Sequence, residues 1–527
     1  MVCRKLLLLL LIVGLPLSAR AQVSSQGLLS NEGARRVGLT RMWFTQLELD
    51  RGKGKMSGLI QQVSTTKAHT IFEVIHEGRS YVFSQRELDA FGRPLGVEGA
   101  KEMANRKVAE ITALLNPPKD EDAPAEGGAP KPAAKPVTAA KLPKAVMHVI
   151  PEITYYATSE RGLIHAIDGE TGKTKWATIV GKPNYPTTTA GASDDVVAVM
   201  NGSTLYAIDT TTGKIAWQRV IAGAPSGSPA VSDELVFVQA MSGNMESFWA
   251  DGSTAPGKVF RSFGNPTTQP VILNMSIAWA TDRGHVYVGN ATDGSMKYRI
   301  ECKDSCMSAP TWLPPDRILA TSLDGYVYCV RERSGGIEWR FSAGEPIAHS
   351  PIGIGDTVYA ITQTGGLYAI HVENGTEKWM SHGVRGFIAG NEDRLYCTDI
   401  TGNIIVVDAK SGSRVATIEA RALEIRMMNT ETDRLVVATP SGLIQCFREL
   451  NKKWPEARFA RDINAPKPDK KNGGKAGVNP AEAAEPKPMA PAGDDPFDTP
   501  AGADPMPMDE EMKPKDDKPA ADPFGGM

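Results

Sequence analysis

Leu205-Tyr206-Ala207-Ile208-Asp209-Thr210-Thr211-Thr212-Gly213-Lys214-Ile215-Ala216-Trp217 is one copy of a unit that returns, with decay, about every forty residues along this chain. Aligned on Tyr206, the copies fall at His165, Tyr206, Glu246, Tyr287, Tyr328, Tyr368, Ile405 and Gln445. A fixed period of this length is the mark of one supersecondary unit stacked on itself. Each copy holds four short apolar runs separated by turn residues, the pattern of a four-stranded antiparallel blade. In the second copy the runs are 187–192, 196–200, 204–209 and 214–220. Eight copies predict an all-β chain built as an eight-bladed propeller over residues 144–454.

Two features of the unit explain its residue types. Gly turns such as Asn201-Gly202, Ser242-Gly243, Asp324-Gly325, Thr401-Gly402 and Ser441-Gly442 join the second strand to the third. Two-residue hairpins need positive φ, which is costly for a residue with a Cβ. In the Asp-x-x-Thr-Gly stretch, a carboxylate at the end of the third strand caps the following N–H groups, and Gly213 returns the chain. An aromatic follows at one fixed place: Trp176, Trp217, Trp339 and Trp379, with Tyr298 and Phe260 in weaker copies. An aromatic on each outer strand packs blade against blade, and this packing role outweighs a ligand-stacking role because closing a ring requires it throughout.

With these residues in view, the chain resembles the quinoprotein-type, or PQQ-like, β-propeller repeats, most specifically at 162–176 and 202–217. That family runs from quinone-dependent dehydrogenases to non-catalytic envelope propellers such as the lipoprotein BamB, so fold alone does not select a function. The dehydrogenases imply a quinone held between a Trp and a ring of two adjacent cysteines, with calcium on Glu, Asn and Asp. No two cysteines are adjacent here, since Cys3, Cys302, Cys306, Cys329, Cys397 and Cys446 are all separated. The resemblance is therefore to non-catalytic BamB-like propellers, with no cofactor expected. It stops short of a lipid anchor, because Cys3 precedes the apolar core of the leader and leaves no lipobox.

That leader reads as a Sec signal peptide over residues 1–21: Arg4 and Lys5, an apolar run at 6–17, then Ala19-Arg20-Ala21. The apolar run is too short to span a bilayer. The protein is expected to be exported, periplasmic or secreted, where disulfides form. Cys302 and Cys306 lie in the connection between the fourth and fifth copies and are the candidate pair. A bond between them would stiffen that connection, while Cys329 and Cys446 read as small buried apolar residues.

Outside the repeats, residues 23–115 read as a small α+β module, SH3-like in its strand pattern. Its runs are 41–49, 58–64, 70–76 and 80–84, followed by a helix at 97–115 with Met103, Val108, Ile111 and Leu115 on one stripe. Trp43, Phe72 and Tyr81 are its expected core. Residues 116–143 form a Pro/Ala/Lys-rich linker, and 455–527 a disordered tail in which Asp495-Pro496-Phe497 recurs as Asp522-Pro523-Phe524.

A formal charge of −3, from 58 basic and 61 acidic residues, supplies no nucleic-acid footprint. No Gly-rich phosphate loop opens a helix, and no metal-ligand cluster is visible. The variable, Pro-stiffened inter-blade connections are the expected partner-binding face, with Tyr185, Arg385 and Phe387 as interface-type residues. His148, His349, Glu424 and Arg426 are expected on inner strands facing the channel, chiefly holding water. The sequence thus predicts a monomeric, exported, non-catalytic scaffold for protein or peptide partners at the cell envelope. The alternatives are a quinone-dependent oxidoreductase and a propeller sensing a sugar or peptide.

Overall fold

The structure is a computed structural model in which residues 20–22, 27–49, 54–89, 91–115 and 143–458 are described. The expected signal peptide up to residue 19, the expected linker from 116 to 142 and the expected tail from 459, with both Asp-Pro-Phe repeats, lie outside the described residues.

The described residues form eight sheets, six of four strands and two of five. In sheet two, Gly191–Ala192, Val196–Asn201, Thr204–Asp209 and Ile215–Val220 pair antiparallel in sequence order. Second strands such as Leu235–Gln239 and Thr357–Ile361 are buried along their whole length because a neighbouring sheet covers each face. Outer strands such as Ile215–Val220 alternate toward solvent. The chain is thus an all-β propeller-type array.

The repeat's turn holds by its own hydrogen bonds. Asp209 Oδ1 accepts from Thr212 N at 2.7 Å, Thr211 N at 3.1 Å and Thr212 Oγ1 at 2.8 Å. Those bonds, led by the Thr212 N–H, hold the carboxyl below its usual range. Gly213 then turns at φ +71. Its lack of a side chain serves packing as well, because a Cβ there would sit 2.6 Å from the Trp176 ring. Each of the four repeat tryptophans lies flat on the next sheet's turn glycine and donates its indole N–H to a carbonyl of that turn: Trp176 to Thr210 O (2.7 Å), Trp217 to Ala250 O (3.0 Å), Trp339 to Val372 O (2.7 Å) and Trp379 to Ala409 O (3.0 Å). Tyr298 does the same through its hydroxyl, to Glu332 O at 2.7 Å.

A buried apolar cluster fills every junction between successive sheets, and one more joins sheet eight to sheet one. That last junction corrects the expected amino-terminal module. Strand β2 (Leu39–Gln46) is not part of a separate meander. It pairs antiparallel with Leu443–Glu449, Thr40 opposite Arg448 and Gln46 opposite Leu443, and completes sheet eight. Trp43 accordingly belongs to the set of inter-sheet tryptophans: its indole donates to Gly169 O at 2.8 Å, and its ring lies where a Cβ on Gly172 would approach to 2.5 Å. The first half of β3 (Met56–His76) is the inner strand of sheet one, Leu59 opposite Ala157 and Gln61 opposite Tyr155 on β5 (Ala145–Ser159). The propeller therefore does not begin at residue 144. An edge strand exposes unpaired backbone groups, and a strand from the other end of the chain covers that edge.

What remains distinct is an outgrowth of sheet one. The second half of β3, β4 (Arg79–Ser84) and the start of β5 carry helix α2 (Gly96–Leu115), with Phe72, Val74, Ala100, Ala104 and Ile111 as its core and Tyr81 packed against it. Met103, expected on the buried stripe, is exposed because the small Ala100 and Ala104 make the close helix–sheet contact. The short helix α1 (Asn31–Arg36), capped by Ser30, packs Ala34 into the cluster between sheets seven and eight. Arg20–Gln22 adds a parallel strand to the outer edge of sheet seven.

The first residues of the expected tail are also ordered. Glu456 N donates to Asp433 Oδ1 at 3.2 Å, and Arg458 N to Glu431 O at 2.8 Å. Arg458 also reaches Gly390 O, on the inner strand of sheet seven. Lys453 and Trp454 meet Glu73 at 3.2 and 3.0 Å.

Candidate binding face

Inner strands of successive sheets surround a central channel. One cavity of about 300 Å³ is lined from sheets one, two, three and four together with Trp312 and Glu431. At the mouth on the connection side lies a second, about 310 Å³, lined by Met307, Ser308, His349, Gly386, Phe387 and Met428 among others.

The structure brings His349, Arg385 and Phe387 to this mouth. Burial, then the charge of Arg385, push the His349 imidazole below its usual value, so it is neutral at pH 7. Arg385 is fixed by its N–H to Thr398 O (2.6 Å) and by Nη1 to Gln363 O (2.8 Å), which ties sheet seven to sheet six. Phe387 is not the exposed anchor expected of it. It is 7% exposed and belongs to the core between those two sheets, because its position on the inner strand faces the neighbour.

Tyr185 stands apart on the connection between sheets one and two, half exposed over Gly202. The stiffness of its loop comes less from proline than from Asn201. That side chain donates to Lys182 O (3.2 Å), Tyr185 O (3.1 Å) and Thr187 Oγ1 (3.0 Å), and accepts from Lys182 N (2.9 Å). Glu424 is exposed beside sheet eight. The Arg426 guanidinium turns to backbone carbonyls: it donates to Leu423 O (2.9 Å), Ala420 O (3.2 Å) and Gly402 O, locking sheet eight to a turn of sheet seven. Burial lowers its pKa. His148 also leaves the channel. It lies on the outgrowth, 3.3 Å from Glu73 and with its ring 6.0 Å from that of Trp454, because β5 is the second strand of sheet one and β3 takes the inner place.

Cys302 and Cys306 are free thiols rather than a disulfide. Hydrogen bonding to Cys306, then burial, pushes the Cys302 thiol up. The stiffness expected of a bridge is supplied by hydrogen bonds across the same connection: Ser305 Oγ to Asp282 O (2.7 Å), Ser322 Oγ to Asp304 O (2.8 Å) and Lys303 N to Asp324 Oδ2 (3.0 Å).

The sequence reading missed the apolar part of this face. Met241, Phe263, Met307, Ile400 and Met428 are exposed on its turns, connections and inner-strand end. Phe263 is presented rigidly, its N–H bonded to Tyr287 Oη at 2.9 Å. The available signal was a large apolar residue directly before a turn, as in Met241-Ser242-Gly243 and Ile400-Thr401-Gly402.

Among known proteins, the family described as outer membrane protein assembly factor BamB matches residues 135–249, 160–292 and 283–386. The BamB proteins of Yersinia pestis and Moranella endobia are each 21% identical over 49% of this chain, which spans 62% of their length. The crystal structure of BamB from Moraxella catarrhalis superposes with a TM-score of 0.46 at 16% identity, over 57% of this chain and 92% of that one. The repeats of this chain are PQQ-like propeller repeats related to those of BamB.

Proposed function

We propose that the protein is an exported, non-catalytic scaffold, an eight-bladed ring that binds protein or peptide partners at the cell envelope through its connection face. The observation that carries this reading is the mouth of the channel on that face. There a cavity is lined by His349, Met307, Phe387 and Met428, and Tyr185, Met241, Phe263 and Ile400 are exposed on turns and connections of the same face. Aromatic and methionine side chains supply adaptable apolar contact area. Loops already fixed by Asn201, Tyr287 and Gln363 lose little entropy when a partner docks. The assembly-factor name of the relatives agrees with a binding role. The leader at residues 1–21 supports export, and no described helix is long and apolar enough to cross a membrane.

A photo-crosslinking residue placed at Phe263 or Met307 in cells, compared with one at Asp251 on the opposite face, tests the reading. Discrete protein adducts at the first two sites and none at the third are expected; equal adducts at all three would refute it.

A further inference from the structure

We propose that the cleft beside α1 and the strand Arg414–Glu419 of sheet seven binds a phosphate monoester. Its volume is about 750 Å³, and five guanidiniums line it: Arg35, Arg36, Arg394, Arg414 and Arg421. In a chain of net charge −3 this is a local reversal of sign.

The internal acceptors leave most of that charge unanswered. Arg36 is paired with Glu32 at 2.5 Å. Arg394 and Arg414 reach the carbonyls of Val37 and Gly383, each at a long 3.4 Å, and Arg394 also contacts the Tyr396 hydroxyl, which is neutral. Arg35 and Arg421 are exposed and have no acceptor among the described residues. Of the two carboxylates at the cleft, Asp399 is committed to its own turn, accepting from Thr401 N at 2.9 Å, Thr401 Oγ1 at 2.7 Å and Asn403 N at 2.9 Å. That leaves Glu419 as the remaining counter-charge.

Guanidinium forks match the oxygens of phosphate in pairs, and the planar group keeps its charge at any physiological pH. A carboxylate offers two oxygens and one charge, enough for a single fork. A phosphate monoester offers three non-bridging oxygens and up to two charges, and the cleft volume leaves room for the organic group that carries it. The source is a soluble phosphate ester or a phospholipid headgroup.

The full-length chain is titrated calorimetrically with inorganic pyrophosphate and with glycerol 3-phosphate, and sedimented with vesicles of phosphatidic acid in phosphatidylcholine. The Arg35→Gln/Arg421→Gln double variant is compared with Arg106→Gln, a surface arginine on α2. Saturable binding of at least one probe is expected, weakened about tenfold or more in the double variant and unchanged in the control, with the melting temperature of both preserved. Retention on vesicles that the double variant loses assigns the headgroup; binding of the soluble probes alone assigns a soluble ester. Absence of saturable binding to every probe, or equal affinity in the double variant, overturns the proposal.

Discussion

Gly412 and Gly402 belong to the same sheet, and both are turn residues with left-handed backbone, φ +72 and φ +80. They differ in what lies above them. A Cβ on Gly412 would stand 2.5 Å from Cε3 of the Trp379 ring, whereas on Gly402 the nearest atom is 3.6 Å away at Arg426. Gly402→Ala therefore costs the backbone term alone, about 1 kcal/mol. Gly412→Ala adds displacement of a packed indole whose N–H is held at 3.0 Å by Ala409 O, and overpacking of that kind costs about 1–3 kcal/mol. The expected totals are about 1 and about 2–4 kcal/mol. With roughly 400 described residues and about 2.1 cal/mol/K of unfolding entropy per residue, 1 kcal/mol moves the midpoint by about 1 °C. Calorimetry should thus show drops of about 1 °C and about 2–5 °C. In a Trp379→Ala background, itself destabilised by about 3 kcal/mol, the extra cost of Gly412→Ala should fall to that of Gly402→Ala, since the clash is gone. Equal costs for the two glycines, or a Gly412→Ala cost that persists without the indole, would refute the idea that glycine serves the tryptophan as well as the turn.

A chain starting at Lys144 lacks both β2 and the inner strand of sheet one, so it should express as aggregate rather than in the soluble fraction. Arg426→Ala should lower stability by about 2 kcal/mol in urea titration, because charge-assisted bonds to the carbonyls of Leu423, Ala420 and Gly402 disappear together. Burial opposes the charge of Glu73, but hydrogen bonds from Ser80, Trp454 and Lys453 outweigh it and hold the carboxyl down to about 2, against an ordinary 4.5. A depressed carboxylate pKa stabilises fully above the ordinary value and is lost as pH falls toward the folded one. Hydrogen-exchange protection of residues 451–458, relative to the intrinsic rate at each pH, should therefore be high at pH 6 and fall between about pH 4.5 and 2, and Glu73→Gln should abolish that pH dependence.

How much was legible in the chain follows the range of each signal. The repeat is local: Asp209, Thr212, Gly213 and Trp217 lie within one turn and one strand, so their spacing alone marks the four-stranded unit and its hairpins. Strand pairing across the whole chain leaves no such mark. Leu39–Gln46 and Leu443–Glu449 each read as ordinary strands, and nothing near either one states that they pair; only the folded array, with an uncovered edge at sheet eight, decides it. The same holds for burial at the candidate face. Phe387 and Phe263 are both phenylalanines near inter-blade connections, yet one faces the neighbouring sheet and the other solvent, a distinction made by the packing of sheet six on sheet seven. The amino-acid sequence by itself determined the blade and its count of copies, since backbone turns and aromatic contacts act over a few residues. Which strand closes the array, which arginines converge beside α1 and which apolar side chains stay exposed were settled by tertiary structure, because each depends on segments tens to hundreds of residues apart meeting in space.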